Sequence, residues 1–125
     1  MLFDTDVLIW VLRGSEAAAR AVEGAPRRAA SVVTYMELIQ GARNQREVTD
    51  IRGFLVEFGF ELLPLTEATG HRAAVYMEEY ALKSGMHMAD ALIAAAAVEH
   101  GLVLCAADQK HYRTVSDLRI KLFRP

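Results

Sequence analysis

An α/β fold built on a mainly parallel sheet is what this sequence predicts, and three observations predict it. Short apolar runs alternate with stretches of helical periodicity along all 125 residues, the order expected of strands joined through crossover helices. The opening run Met1–Phe3 is apolar throughout, as suits a strand buried on both faces. A late segment, MADALIAAAAVEH, is apolar almost all round, the profile of a helix enclosed by other elements.

Taken in order, Met1–Phe3 is the first strand. Asp4 marks its carboxyl end, since Asp is depleted inside strands, and in open α/β sheets that end is where ligands sit. Thr5 or Asp6 is expected to cap a helix that ends at Arg13-Gly14. Ser15 caps a second helix, which stops near Gly24 because Pro26 forbids continuation. These two helices are expected to form a hairpin leaning away from the sheet. Arg28–Val33 is a second strand. Ser31 or Thr34 then opens a helix, with Thr34 and Glu37 spaced as in a capping box and Gly41 as its stop. Val48, Ile51, Leu55 and Phe58 recur at helical spacing up to Gly59. Phe60–Leu65 is a short strand, with Pro64 marking an edge or a strand end. Thr66 opens a long helix to Ser84, with Ala73, Tyr76, Met77 and Tyr80 as its apolar stripe and Glu79–Lys83 as a favourable pair. The alanine-rich helix runs from Met88 to Gly101. Leu102–Ala106 and Leu118–Phe123 are the last strands, with a turn or short helix from Asp108 between them. No repeat or linker divides the chain, so residues 1–125 form one domain.

Composition narrows the function classes. Hydrophobic residues make up 53% of the chain, enough for a real core, and the net charge of −2 gives no overall nucleic-acid footprint. Arginine outnumbers lysine 11 to 3, which favours bidentate contacts to phosphate. The single Cys105 cannot form an internal disulfide and reads as a small core residue. With no signal-like or membrane-spanning segment in view, a cytoplasmic protein is expected.

Four acids stand at element ends: Asp4, Glu37, Asp90 and Asp108. Singly, each has a structural use, as cap, capping-box partner, dipole complement or turn residue. Together they can converge on one rim of a parallel sheet. Two carboxylates about 4 Å apart repel by roughly 4 kcal/mol at an effective dielectric near 20, so such a group stays ionised only around a cation. An oxygen-only donor set suits Mg²⁺ or Mn²⁺.

At these residues the sequence resembles the PIN-domain ribonucleases, and within them the VapC-type toxins of toxin–antitoxin pairs. The matching pieces are LFDTDVLIW, SVVTYMELIQGA, ADALIAAAA and LCAADQKHY, in family order and spacing. The resemblance implies a three-layer fold, a five-stranded parallel sheet flanked by helices, with Asp4, Glu37, Asp90 and Asp108 on the acidic positions and Thr5 on the supporting hydroxyl. Asp6 replaces the usual Asn or Ser. Ala106 and His111 stand where the family usually has Thr and often Asp, so the shell around Asp108 departs from the pattern. The resemblance further implies metal-assisted RNA hydrolysis, an antitoxin partner and a homodimer. Asp4 and Asp90 would be direct ligands of Mg²⁺ or Mn²⁺, Glu37 would hold a metal-bound water or a second ion, and Asp108 would ligate weakly or through water.

Arg43, Arg46, Lys110, His111 and Arg113 lie nearest these acids in sequence and are candidate RNA contacts. Trp10 is a candidate antitoxin contact, although a core position suits it better. Three other readings compete. Asp-x-Asp after the first strand resembles haloacid-dehalogenase-type phosphatases, but Val7-Leu8 replaces their Gly-Thr. A receiver-like module would need a late Lys, for which Lys110 has the wrong context. A catalytically silent PIN-like adaptor is opposed by the retained acids.

Overall fold

In the computed structural model, which describes residues 1–125, five strands and six helices follow one another in the expected order. They are β1 (Leu2–Phe3), α1 (Thr5–Leu12), α2 (Glu16–Glu23), β2 (Ala29–Ser31), α3 (Val32–Gln40), α4 (Gln45–Glu57), β3 (Glu61–Leu63), α5 (Glu67–Ser84), α6 (Met88–Glu99), β4 (Leu104–Ala106) and β5 (Ile120–Leu122). The strands pair in the order β3-β2-β1-β4-β5, and every pairing is parallel. The anticipated strand ranges over-reached at their ends. Arg28 and Leu102 precede the paired residues, and Val32 and Val33 already belong to α3.

Period-2 alternation distributes the strand side chains between two cores. Leu2, Ala29, Leu63, Leu104 and Ala106 join α5 and α6 on one face. Phe3, Ala30 and Cys105 join α1 to α4 on the other. Both faces of the sheet are therefore covered, as a parallel sheet requires. The α1–α2 hairpin does not lean away from the sheet. Ala18 and Val22 of α2 are fully buried in the second core, so this helix contributes packing surface rather than an overhang. Cys105 is a buried core thiol, as anticipated.

α6 is buried along most of its length, from Ala91 through Ile93–Ala97. Its small side chains let α5 and the sheet approach closely. Gly85 ends α5 with φ +70, a left-handed conformation glycine adopts without strain. Only Gly85, Met86 and His87 then separate the two helices, and that tight return fixes where the first turn of α6 stands. The expected Glu79–Lys83 ion pair does not form; Arg72 instead bridges Glu99 and Asp117 across this face.

β1 lies between β2 and β4. The chain leaves β1 toward one side of the sheet and later returns on the other. That reversal opens a crevice at the carboxyl ends of β1 and β4, the place where open α/β sheets bind ligands.

Candidate metal centre

At this crevice the last ladder bond runs from Asp4 N–H to the Cys105 carbonyl at 2.9 Å, so the end of β1 is tied to β4 before the chain turns into α1. Asp4 itself caps α1: its Oδ1 accepts from Thr5 N–H at 2.9 Å. The cap is therefore Asp4 rather than the expected Thr5 or Asp6, because Asp4 is the single residue between β1 and α1. Thr5 and Asp6 then occupy the first turn of α1, with Asp6 exposed at the rim.

Glu37 is not the capping-box partner of Thr34. Ser31 caps α3 by accepting from Val33 N–H, which places Thr34 and Glu37 inside the helix and one turn apart. Thr5 Oγ1 donates to Glu37 Oε1 at 2.6 Å and lies 3.0 Å from Thr34 Oγ1. Thr5 has only one hydroxyl proton, and the shorter contact, to the Glu37 carboxylate, is the stronger claim on it. That bond joins α1 to α3 and orients the Glu37 carboxylate.

Asp90 has two uses. Its Oδ2 accepts from His87 N–H at 3.1 Å, which anchors the start of α6. Its Oδ1 accepts from the Tyr112 hydroxyl at 3.3 Å. The Tyr112 hydroxyl also lies within reach of Asp4 and favours the charged form of that carboxylate. Sequence reading missed Tyr112. Its signal was a lone phenol in the last motif: a buried tyrosine hydroxyl requires a partner, and the acids are the partners here.

Asp4, Thr5, Asp6, Ile9, Glu37, Gln40, Gly41 and Asp90 line one cleft of about 360 Å³. Asp108 is exposed just beyond it, in a turn where its Oδ1 accepts from Lys110 N–H at 2.8 Å. Its charge is felt by Asp6, whose carboxyl is raised by burial and by the Asp108 and Asp90 charges. Asp4 is more strongly perturbed. Burial, and then the neighbouring charge of Asp6, push it up to about 7.

No arginine or lysine forms an ion pair with any of these five acids. The donors are all oxygens, as a hard divalent cation prefers. No three of them are clustered tightly enough to form a ready-made cage. A cleft lined by separated carboxylates suits Mg²⁺, which retains several waters and takes only one or two carboxylates directly. The residues present therefore fit such an ion, which Asp4 and Asp90, the least exposed of the five acids, would hold with Glu37, Asp6 and Asp108 around them.

The basic residues divide. Arg43 is paired with Glu47 at 2.9 Å, so much of its charge is already answered. Arg46, Lys110 and Arg113 are exposed. His111 is half-buried; its Nδ1–H donates to the Ser84 carbonyl at 3.0 Å and its ring lies 5.7 Å from that of His87, so it braces the α5–α6 turn. Trp10 is 37% exposed, which corrects the expectation of a core position: it sits on the outer side of α1, while Val7 and Leu8 fill the core. An adjoining groove of about 610 Å³ shares Ile9, Glu37 and Gly41 with the acidic cleft and continues over Leu12, Leu38 and Ile51. Arg13, which the sequence did not single out, lines it too.

The family model described as PIN domain matches residues 1–116. Among solved structures, a toxin–antitoxin complex from Klebsiella pneumoniae is 28% identical, with a TM-score of 0.79, covering 94% of this chain and 93% of that one. DNA-bound VapBC from Salmonella typhimurium has a TM-score of 0.83 at 24% identity, covering 96% and 95%. FitAcB from Neisseria gonorrhoeae has a TM-score of 0.74 at 24% identity, covering 99% and 96%. Comparison with curated proteins gives no match.

Proposed function

The chain belongs to the PIN domain family, and from that premise we propose that it is a divalent-metal-dependent endoribonuclease, the toxin of a VapC-type toxin–antitoxin pair. The observation that carries the reading is Asp4: a buried carboxylate, pushed up to about 7 and crowded by Asp6, with no basic side chain to answer it. Such a group costs stability unless a cation completes its surroundings. Family membership sets aside the phosphatase and receiver readings, and leaves the silent adaptor as an outcome of experiment.

Mg²⁺ or Mn²⁺, when bound, would supply a polarised phosphate and a water of lowered pKa. The protein's own residues perform the rest. Asp4 and Asp90, which line one cleft, would hold the ion. Thr5 donates to Glu37 and fixes it where it would accept a proton or a hydrogen bond from an attacking water. Asp6 and Asp108 at the rim add negative charge, tightening ion binding and repelling phosphate that arrives without a cation. Arg46, Lys110 and Arg113 on the outer surface offer phosphate contacts that position RNA without reading its bases.

The antitoxin reading draws on the solved neighbours, which include a toxin–antitoxin complex, and on the groove beside the cleft. An apolar helix or extended segment could lie along Ile9, Leu12, Leu38 and Ile51, with Trp10 at its margin, and reach the acidic cleft. A homodimer accompanies this reading as the family implies. No helix is long and apolar enough to cross a membrane, which agrees with the proposed cytoplasmic setting.

RNA cleavage by the purified chain tests the proposal. Activity is expected with Mg²⁺ or Mn²⁺ and lost with EDTA. Asp4→Asn should lower it by at least about 100-fold, the order associated with losing one electrostatic contact to a developing charge. Cleavage indifferent to both EDTA and the substitution would overturn the assignment. Metal binding without turnover would favour the silent adaptor.

A further inference from the structure

The turn after β4 carries two residues with opposite placements. Asp108 faces solvent and closes the turn by accepting from Lys110 N–H. Tyr112, held by its own N–H to the Gln109 carbonyl at 3.0 Å, points inward and is only 2% exposed. Its ring packs in the α5–α6 core, while its hydroxyl emerges between two carboxylates. It donates to Asp90 Oδ1 at 3.3 Å and lies close enough to Asp4 to act on that group as well. The other Asp90 oxygen is held by His87 N–H. Both oxygens of Asp90 are therefore directed, one by the α6 backbone and one by a phenol anchored in the core.

We propose that Tyr112 is a positioning residue of the acidic cleft, its hydroxyl holding the Asp90 carboxylate in register with Asp4 to receive a divalent cation. The inference rests on the metal-dependent reading above. Hydrogen bonds from outer residues orient ligating carboxylates, and losing one commonly lowers metal affinity about 10- to 100-fold. The ring provides rigidity, because a buried aromatic side chain has few rotamers and the surrounding core fixes them. A phenylalanine would keep the packing and lose only the donor.

Calorimetric titration of the full chain with Mn²⁺ tests this, comparing wild type with Tyr112→Phe. The expected result is affinity lowered about 10-fold in the variant, with its metal-free melting temperature within about 2 °C of wild type. Tyr112→Phe binding Mn²⁺ as tightly as wild type would overturn the proposal. So would an affinity loss that comes with a clearly lowered metal-free melting temperature, since the residue would then be acting through packing alone. Wild type that fails to bind Mn²⁺ would overturn the functional reading itself, a result distinct from an unaltered variant.

Discussion

Asp4 shows at the scale of one residue how a site can be built at the expense of the fold. In the unfolded chain its carboxyl titrates near 3.8; in the fold, burial and Asp6 push it up to about 7. A group whose folded pKa is raised supports the fold while it is protonated. That support is complete below about pH 4 and is withdrawn as pH rises through 7. At about 1.4 kcal/mol per unit the loss has an upper bound of roughly 4 kcal/mol. Asparagine keeps the cap oxygen and carries no charge. Metal-free Asp4→Asn should therefore melt at nearly the wild-type temperature at about pH 4 and increasingly above it toward pH 8. Mn²⁺, which stabilises only a protein that binds it, should narrow the gap at the higher pH. Thermal denaturation across this range is the measurement, and a gap independent of pH would show that Asp4 carries no buried charge. Asp4 and Asp90 could be placed on one rim from sequence because each flanks an element boundary, whereas Glu37 lies deeper inside α3 than its spacing to Thr34 suggests. Tyr112 could not: nothing in the periodicity of a short turn says which way its aromatic points.

At the scale of the element, legibility followed the strength of local signals. Ser15, Thr66, Gly85 and Gly101 bounded their helices where expected, because caps and left-handed glycines act within a few residues. Strand ends were less legible. β1 has only two residues and β4 three, and such short pieces are defined by their neighbours rather than by their own pattern. The same dependence misled the reading of Thr34. Its spacing to Glu37 fits a capping box, but Ser31 begins the helix a turn earlier and frees both for the bond network with Thr5. α6 gives the clearest element-scale prediction. Ala94, Ala95, Ala96 and Ala97 are at most 1% exposed, so along this turn the helix has no side open to a larger residue. Ala95→Leu should cost about 1–3 kcal/mol through overpacking, read as a lowered denaturation midpoint with an unchanged slope. Ala89 and Leu92 on the same helix are only partly buried, and substitution there should be milder.

Over the whole molecule, the charge distribution has to admit a polyanion to a negative cleft. The net charge of −2 gives no general attraction, so approach depends on where the basic groups lie. Arg43 is answered by Glu47 and Arg72 by Glu99 and Asp117. Lys110 and Arg113 have exposed side chains in no ion pair, on the same turn that carries Asp108 and Tyr112. This one turn thus presents positive charge outward and holds the acids in place inward. If both cations meet phosphate, each releases a counterion and adds about 0.7 to the slope of log affinity against log salt for a single strand. Single-stranded RNA binding can be measured without turnover in an Asp4→Asn background. There, Lys110→Ala with Arg113→Ala should flatten the slope by about 1.4 and weaken binding more at low salt than at high. A loss of equal size at every salt concentration would place the RNA path elsewhere, with Arg13 and Arg46 as the next cations to examine.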